Sequence, residues 1–294
     1  MDGNTSLALR FEEDRTQLRA VAYRMLGSAS EAEDAVQEAW LRLDRTDTSG
    51  VGNLSGWLTT VVGRVCLNML RTRRTRREEP LDAQVPEAPV GPDDGGDPEE
   101  EALLADSVGV AMLVVLDTLA PAERLSFVLH DMFAVPFDEI APMIERTTAA
   151  TRQLASRARR RVKGGSVVPE ADLSRQRRVV DAFLAATRGG DFEALLTLLD
   201  PDVVLRADRM VVPTPEPIMM RGAQPVAKGA MAAVGRARFT GPASVNGSVG
   251  LTMASNGRLR LVLDFTIADG RITAIEVIAE PDRLGQLEIS VLDN

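Results

Sequence analysis

Arginine crowds into two places in this 294-residue chain, and at both it could hold nucleic-acid phosphate. The run RTRRTRR, Arg71 to Arg77, offers five guanidinium groups in seven residues. Such a patch binds DNA by releasing its condensed counterions. Taken alone, it is also what a solvated helix end favoured by the helix dipole looks like. The second place is PFDEIAPMIERTTAATRQLASRARRRVK, which reads as a helix–turn–helix. A short helix covers Phe137 to Ile144, a turn falls at Glu145 to Thr147, and a long helix runs to Lys163. In that long helix Ala150, Leu154, Ala158 and Val162 recur every fourth residue and are expected to face inward. Thr148, Thr151, Arg152, Ala155, Ser156 and Arg159 are expected on the outward side. A small-residue helix with outward arginine and hydroxyl groups suits the major groove. Arginine can read guanine bidentately, while threonine and serine contact phosphates or thymine methyls. Two such helices in one chain point to a protein that touches two separated DNA elements.

Residues for other chemistry are sparse. The single histidine, His130 in FVLHDMF, reads as a packed helix residue. The single cysteine, Cys66, excludes an internal disulfide and a cysteine zinc cluster, and its apolar surroundings predict a buried small hydrophobe. Asp208 is a candidate pocket acid, although a surface loop carboxylate is the plainer expectation. No phosphate loop or metal-ligand spacing occurs. We therefore expect no catalytic residue, no metal and no cofactor.

The elements that must position these residues follow from periodicity and charge. In EAEDAVQEAWLRL, Glu31 to Leu43, the apolar stripe is Ala32, Ala35, Val36, Ala39, Trp40 and Leu43. Asp34, Gln37, Glu38 and Leu41 form a separate stripe of carboxylates, an amide and an exposed leucine. Ser30 is the expected N-cap. A further helix is predicted from Leu54 to Arg74. The net charge of −9 looks wrong for a DNA-binding protein until it is divided. Residues 78–107 hold 11 acidic and no basic side chains, whereas 1–77 and 108–163 are each +2. Local basic surfaces thus survive an acidic total.

The acidic stretch EEPLDAQVPEAPVGPDDGGDPEEE is rich in Pro and Gly and cannot bury a core. A second short linker runs from Gly164 to Pro169. The expected plan is helical 1–77, linker 78–106, helical 107–165, and a third domain over 174–294. In that last domain two helices, Ser174–Arg188 and Asp191–Leu199, precede strands at Asp202–Ala207, Ser244–Ala254, Arg258–Ala268 and Arg271–Ala279. Asp269-Gly270 is a hairpin turn between the last two. The fold class is multidomain: two all-α domains and one α+β domain. No apolar run reaches the ~18 residues that span a bilayer. Met1 to Arg10 lacks a secretory pattern, so the cytoplasm is the expected compartment.

At this point the residues resemble a family. AVAYRMLGSASEAEDAVQEAWLRL with GWLTTVVGRVCLNMLRTRRTRR is similar to region two of sigma-70 family factors, and LAPAERLSFVLHDMFAVPFDEIAPMIERTTAATRQLASRARRRV is similar to region four. The two-domain plan resembles the extracytoplasmic-function (ECF) class. The third domain resembles the SnoaL-like, NTF2-type cone that extends a SigJ-like subgroup. The resemblance implies that Asp34, Gln37, Glu38 and Leu41 bind the β and β′ subunits of RNA polymerase core. It implies that Arg64, Asn68, Arg71, Arg73, Arg74, Arg76 and Arg77 serve the −10 element, and that the loop from Asp47 to Gly56 captures a flipped base. It places Thr148, Thr151, Arg152, Ser156 and Arg157 on the −35 element. The short Gly164–Pro169 tether would hold the third domain at high effective concentration beside the second, so docking of the third domain on the sigma domains is expected. Three subgroup motifs are altered: the linker motif survives as Val85-Pro86-Glu87, one loop motif is replaced around Asp208-Arg209-Met210, and the terminal motif stands as Glu280-Pro281-Asp282-Arg283-Leu284. Two other readings remain at this stage, a dimeric helix–turn–helix regulator and a protein whose third domain binds or transforms a small molecule.

Overall fold

The computed structural model describes residues 2–46, 50–78, 109–164, 170–212 and 216–292, which form two compact units. The linker motif Val85-Pro86-Glu87 lies outside the described residues.

The first unit is helical. It contains α1 (Asp2–Leu26), α2 (Ala29–Asp44) and α3 (Leu54–Glu78), then α5 (Pro121–Phe127), α6 (Phe137–Ile140) and most of α7 (Thr148–Lys163). Between the first unit's halves in sequence lies α4 (Val110–Thr118). Helix α1 stops at Gly27, whose φ of 76° closes the last turn with its N–H on Tyr23 O (2.8 Å). The cap of α2 is Ser28, whose hydroxyl accepts from Glu31 N–H, so the expected Ser30 cap is two residues late. Asn53 caps α3 by accepting from Gly56 N–H (3.0 Å). A π-helical turn, Val128–Met132, extends α5, and a 3₁₀ turn, Ala141–Met143, follows α6.

Apolar faces converge inside this unit. Leu18, Val21, Met25, Ala32, Ala35, Ala39, Leu58 and Val62 are all buried. Gly63 lets α3 approach α5 closely: a Cβ there would lie 3.3 Å from Leu125 and 3.2 Å from Leu129. Trp40 is only half-buried, because its ring tilts against Phe11 at the edge of the α1–α2 seam (centroids 5.0 Å).

The second unit is α+β. Helices α8 (Glu170–Gly189), α9 (Phe192–Leu198), α10 (Ala223–Ala232) and α11 (Val234–Ala237) pack with a seven-stranded mixed sheet. Its strands are β1 (Leu199–Ala207), β2 (Ile218–Arg221), β3 (Thr240–Val245), β4 (Ser248–Ser255), β5 (Arg258–Ala268), β6 (Arg271–Ile278) and β7 (Ile289–Ser290), in the order β2-β1-β6-β5-β4-β3-β7. A last helical turn, α12, covers Pro281–Leu284. Strands β1 and β6 run parallel, with Leu205 opposite Ile275. The stretch expected as one strand over Ser244–Ala254 is two. Asn246 and Gly247 both take positive φ, and the chain folds back between β3 and β4. Asn256-Gly257 and Asp269-Gly270 make the next two turns the same way. Strand β2 and helix α10 had no counterpart in the sequence reading. Phe183 on α8 meets Phe265 on β5 edge-on (5.4 Å) over a core of Val180, Leu195, Val203, Ile272 and Ile275. This helix-covered mixed sheet is the α+β third domain expected from the sequence.

Candidate nucleic-acid interface

Helix α2 sorts its side chains by face. Ala32, Ala35, Val36, Ala39 and Leu43 are buried, and Asp34, Gln37 and Leu41 are exposed. Glu38 is half-buried and accepts from Arg42 Nε (3.0 Å). An exposed leucine beside two carboxylates and an amide gives a mixed surface, the composition found at protein interfaces. Gln37 also borders a cleft of about 330 Å³ lined by Phe11 and Trp40.

Helix α3 presents Arg64, Asn68 and Arg71 to solvent at i, i+4 and i+7, so the three side chains share one face. Arg73 departs from expectation. Its guanidinium pairs with Glu31 on α2 and donates to Leu26 O (3.4 Å), which ties it to the helix bundle rather than to that outer face. Arg74, Arg76 and Arg77 have side chains outside the described residues, as do Asp47 to Ser49 of the preceding loop.

The helix–turn–helix forms as α6, the 3₁₀ turn and α7. Its turn is tight: Glu145 takes φ 55°, and Arg146 N–H donates to Ala141 O (3.1 Å). Thr147 caps α7 by accepting from Ala150 N–H (3.2 Å). The inward seam is not the expected one. Thr151, Ala155, Ala158 and Val162 are buried, while Ala150 and Leu154 are half-buried. Thr151 therefore leaves the set of DNA-facing candidates. It is fully buried, and its hydroxyl donates to Thr147 O (3.0 Å). Ala155 moves inward with it. Arg152, Ser156 and Arg157 are exposed, and Thr148 is half-buried. Gln153 and Arg160, absent from the sequence reading, share the exposed side. Counting from Thr151 instead of Ala150 would have found them.

The exposed arginines are held from beneath. Arg152 lies over the Phe137 ring of α6 (5.8 Å), a cation–π contact that orients it. Arg157 Nε donates to Glu123 Oε1 at 2.8 Å and Arg161 reaches Oε2 at 3.4 Å, so a nearly buried carboxylate anchors two cations of α7. Arg159 pairs with Asp131. His130 stacks on Phe137 (3.7 Å) and places Nδ1 3.0 Å from Val135 O, as a packed residue does. Cys66 is buried on α3, and desolvation pushes its thiol up to about 12.

Asp208 is neither a pocket acid nor a surface carboxylate. It is buried, and its carboxylate accepts from the N–H groups of Met210 (3.1 Å), Ala279 (2.7 Å) and Glu280 (2.9 Å). The altered loop motif and the altered terminal motif are thereby bound to each other, with Arg283 3.9 Å away and Arg209 paired to Glu280. Among the described residues no group of three or more His, Cys, Asp or Glu could hold a metal, and no helix is long and apolar enough to cross a membrane.

Comparison with known proteins bears on the whole length. A model of Sigma-70 region 2 matches residues 11–76. The chain is 37% identical over 289 residues to "ECF RNA polymerase sigma factor SigJ" of Mycobacterium tuberculosis (strain ATCC 25618 / H37Rv), which is 93% of this chain and 91% of the relative. It is 33% identical over 303 residues to "Probable ECF RNA polymerase sigma factor SigI" of the CDC 1551 / Oshkosh strain, 98% of each chain. The crystal structure of M. tuberculosis SigJ aligns over 95% of this chain and 98% of its own at 35% identity, with a TM-score of 0.44. Identity at this level over nine-tenths of both chains spans the helical halves and the α+β unit alike, so the chain belongs to the ECF RNA polymerase sigma factors, and it is a sigma factor in function.

Proposed function

We propose that the exposed face of α2, Asp34, Gln37, Glu38 and Leu41, is where this sigma factor grips the β and β′ subunits of polymerase core. The observation that carries the reading is the clean division of α2: every large apolar contact is on one side, and a polar stripe with an exposed leucine is on the other. Arg64, Asn68 and Arg71 on α3 serve the −10 element, with Arg74, Arg76 and Arg77 adding phosphate contacts. Arg152, Ser156 and Arg157 on α7 read the −35 element, with Thr148 at the helix start positioned for a phosphate. The protein acts in the cytoplasm, where polymerase and promoter DNA are, and performs no chemistry of its own. The α+β unit regulates by docking on the sigma domains, since the short Gly164–Pro169 tether keeps its effective concentration there high.

The test of the grip is charge reversal. Asp34→Arg with Glu38→Arg should abolish capture by core polymerase while leaving the thermal melt within about 2 °C, since both side chains contact solvent. Normal competition of that variant for core would reject the assignment. The regulatory part is tested by run-off transcription with matched full-length, 1–165 and 1–280 protein. Docking worth ~1–3 kcal/mol would change output several-fold on deletion, and equal output from all three would reject it.

A further inference from the structure

Within the α+β unit, the sheet and helices α8, α10 and α11 line a cavity of about 230 Å³ that opens to solvent on one side. Leu205, Leu251, Leu261 and Val277 wall it from the sheet, and Leu184 walls it from α8. The space exists because the opposite wall is built of small residues: Gly229, Ala230, Ala233 and Ala237 stand where larger side chains would close it. An apolar void of roughly 150 Å³ already suffices to take up benzene and stays dry, because water needs two to four polar partners. The two lining hydroxyls are committed as donors, Thr187 to Phe183 O (2.8 Å) and Thr240 to Arg236 O (3.0 Å).

One feature breaks the apolar lining. Among the described residues around the cavity Arg236 is the single charged one, and no carboxylate, histidine or cysteine faces the space. Its Nη1 donates to Val211 O (3.1 Å) in the turn after β1. That turn carries the exposed side chains of Met210 and Val212, so Arg236 stands on the solvent side of the cavity. A guanidinium fixed at the rim of an apolar space suits a carboxylate head on an apolar body.

We infer that this cavity binds a medium-chain aliphatic carboxylate, with on the order of ten non-hydrogen atoms buried and its head group on Arg236. The site is one of recognition: among the described lining residues there is no carboxylate, histidine or cysteine and both hydroxyls are held by backbone carbonyls, so the ligand leaves as it entered. This goes beyond the sigma activity and does not depend on it.

The test uses the full chain titrated with sodium decanoate and with 1-decanol, both below their aggregation limits, by calorimetry and by thermal melting. Decanoate should bind saturably at one site and raise the melting temperature, with affinity at least ~10-fold above that of decanol. Arg236→Gln should bring the two probes within about 2-fold while decanol binding persists. Ala230→Leu fills the space and should remove binding of both while melting at or above the parent temperature. Should that variant melt early, the milder Ala207→Val, on the sheet wall, should still weaken both probes several-fold. Absence of saturable binding by either probe overturns the inference. So does an undiminished decanoate preference in Arg236→Gln, or parental affinity in Ala207→Val.

Discussion

The buried guanidinium of Arg124 donates through Nη1 to the backbone carbonyl of Met25, 2.7 Å away and 99 residues earlier in the chain. Its Nε donates to Leu116 O (2.6 Å) and its Nη2 to Asp117 Oδ1 (3.0 Å). Beside it Arg24 lies over the Phe133 ring (5.3 Å). A single side chain thus satisfies three acceptors where the end of α1 meets α5. Arg124→Ala strands the two backbone carbonyls in a buried site, leaves the part-buried Asp117 carboxylate unpaired by it, and should destabilise the helical unit by about 2–4 kcal/mol. Arg124→Lys keeps the charge but loses the fork and should fall between. Urea denaturation reads both, and a midpoint shift worth less than about 0.5 kcal/mol for the alanine variant would contradict the keystone role.

On α7 the neighbours Thr151 and Arg152 should behave oppositely. Arg152→Ala should cost about 1–3 kcal/mol of promoter affinity and relax preference at one −35 position. Thr151→Val keeps the buried shape but loses the bond to Thr147 O, so it should cost ~1 kcal/mol of stability and leave DNA affinity unchanged. Binding isotherms on point-mutated promoters separate the two, and equal loss on all templates would make Arg152 a phosphate contact.

Cys66 should be inert in the native protein. With its thiol raised to about 12 from an ordinary value of 9.0, the native state holds the proton that the unfolded chain gives up between those values. The stabilisation is complete below pH 9 and is lost as pH rises toward 12. Labelling by an aromatic disulfide reagent at pH 8 should therefore follow the unfolding rate, and rapid stoichiometric labelling of folded protein would refute this.

Asp208 should matter to stability rather than to chemistry. Asp208→Ala leaves three backbone N–H groups unmet and should cost about 2–4 kcal/mol in the α+β unit. Asp208→Asn keeps one accepting oxygen and should cost less. Thermal melting of the full chain checks the order of the two variants.

Much of this protein was legible in the residues themselves. The Ala32-Ala35-Val36-Ala39-Leu43 stripe dictated which side of α2 stays dry, since 3.6-residue periodicity allows no other face. Asp269-Gly270 set a hairpin because both positions require positive φ, and the Asn246-Gly247 pair carried the same instruction unread. Tertiary structure decided the rest. A strict four-residue repeat advances about 40° per step around a 3.6-residue helix, so the Ala150-Leu154-Ala158-Val162 series drifts off any fixed contact face. The packed seam corrects that drift by one three-residue step, Ala155 to Ala158, and so buries Thr151. Arg73 found Glu31 on another helix, Asp208 found backbone donors about 70 residues away, and Arg236 came to stand over a cavity. Each of these depends on which distant segment arrives alongside. Local periodicity fixes only the face a side chain occupies on its own element; what meets that face is set by how the elements pack.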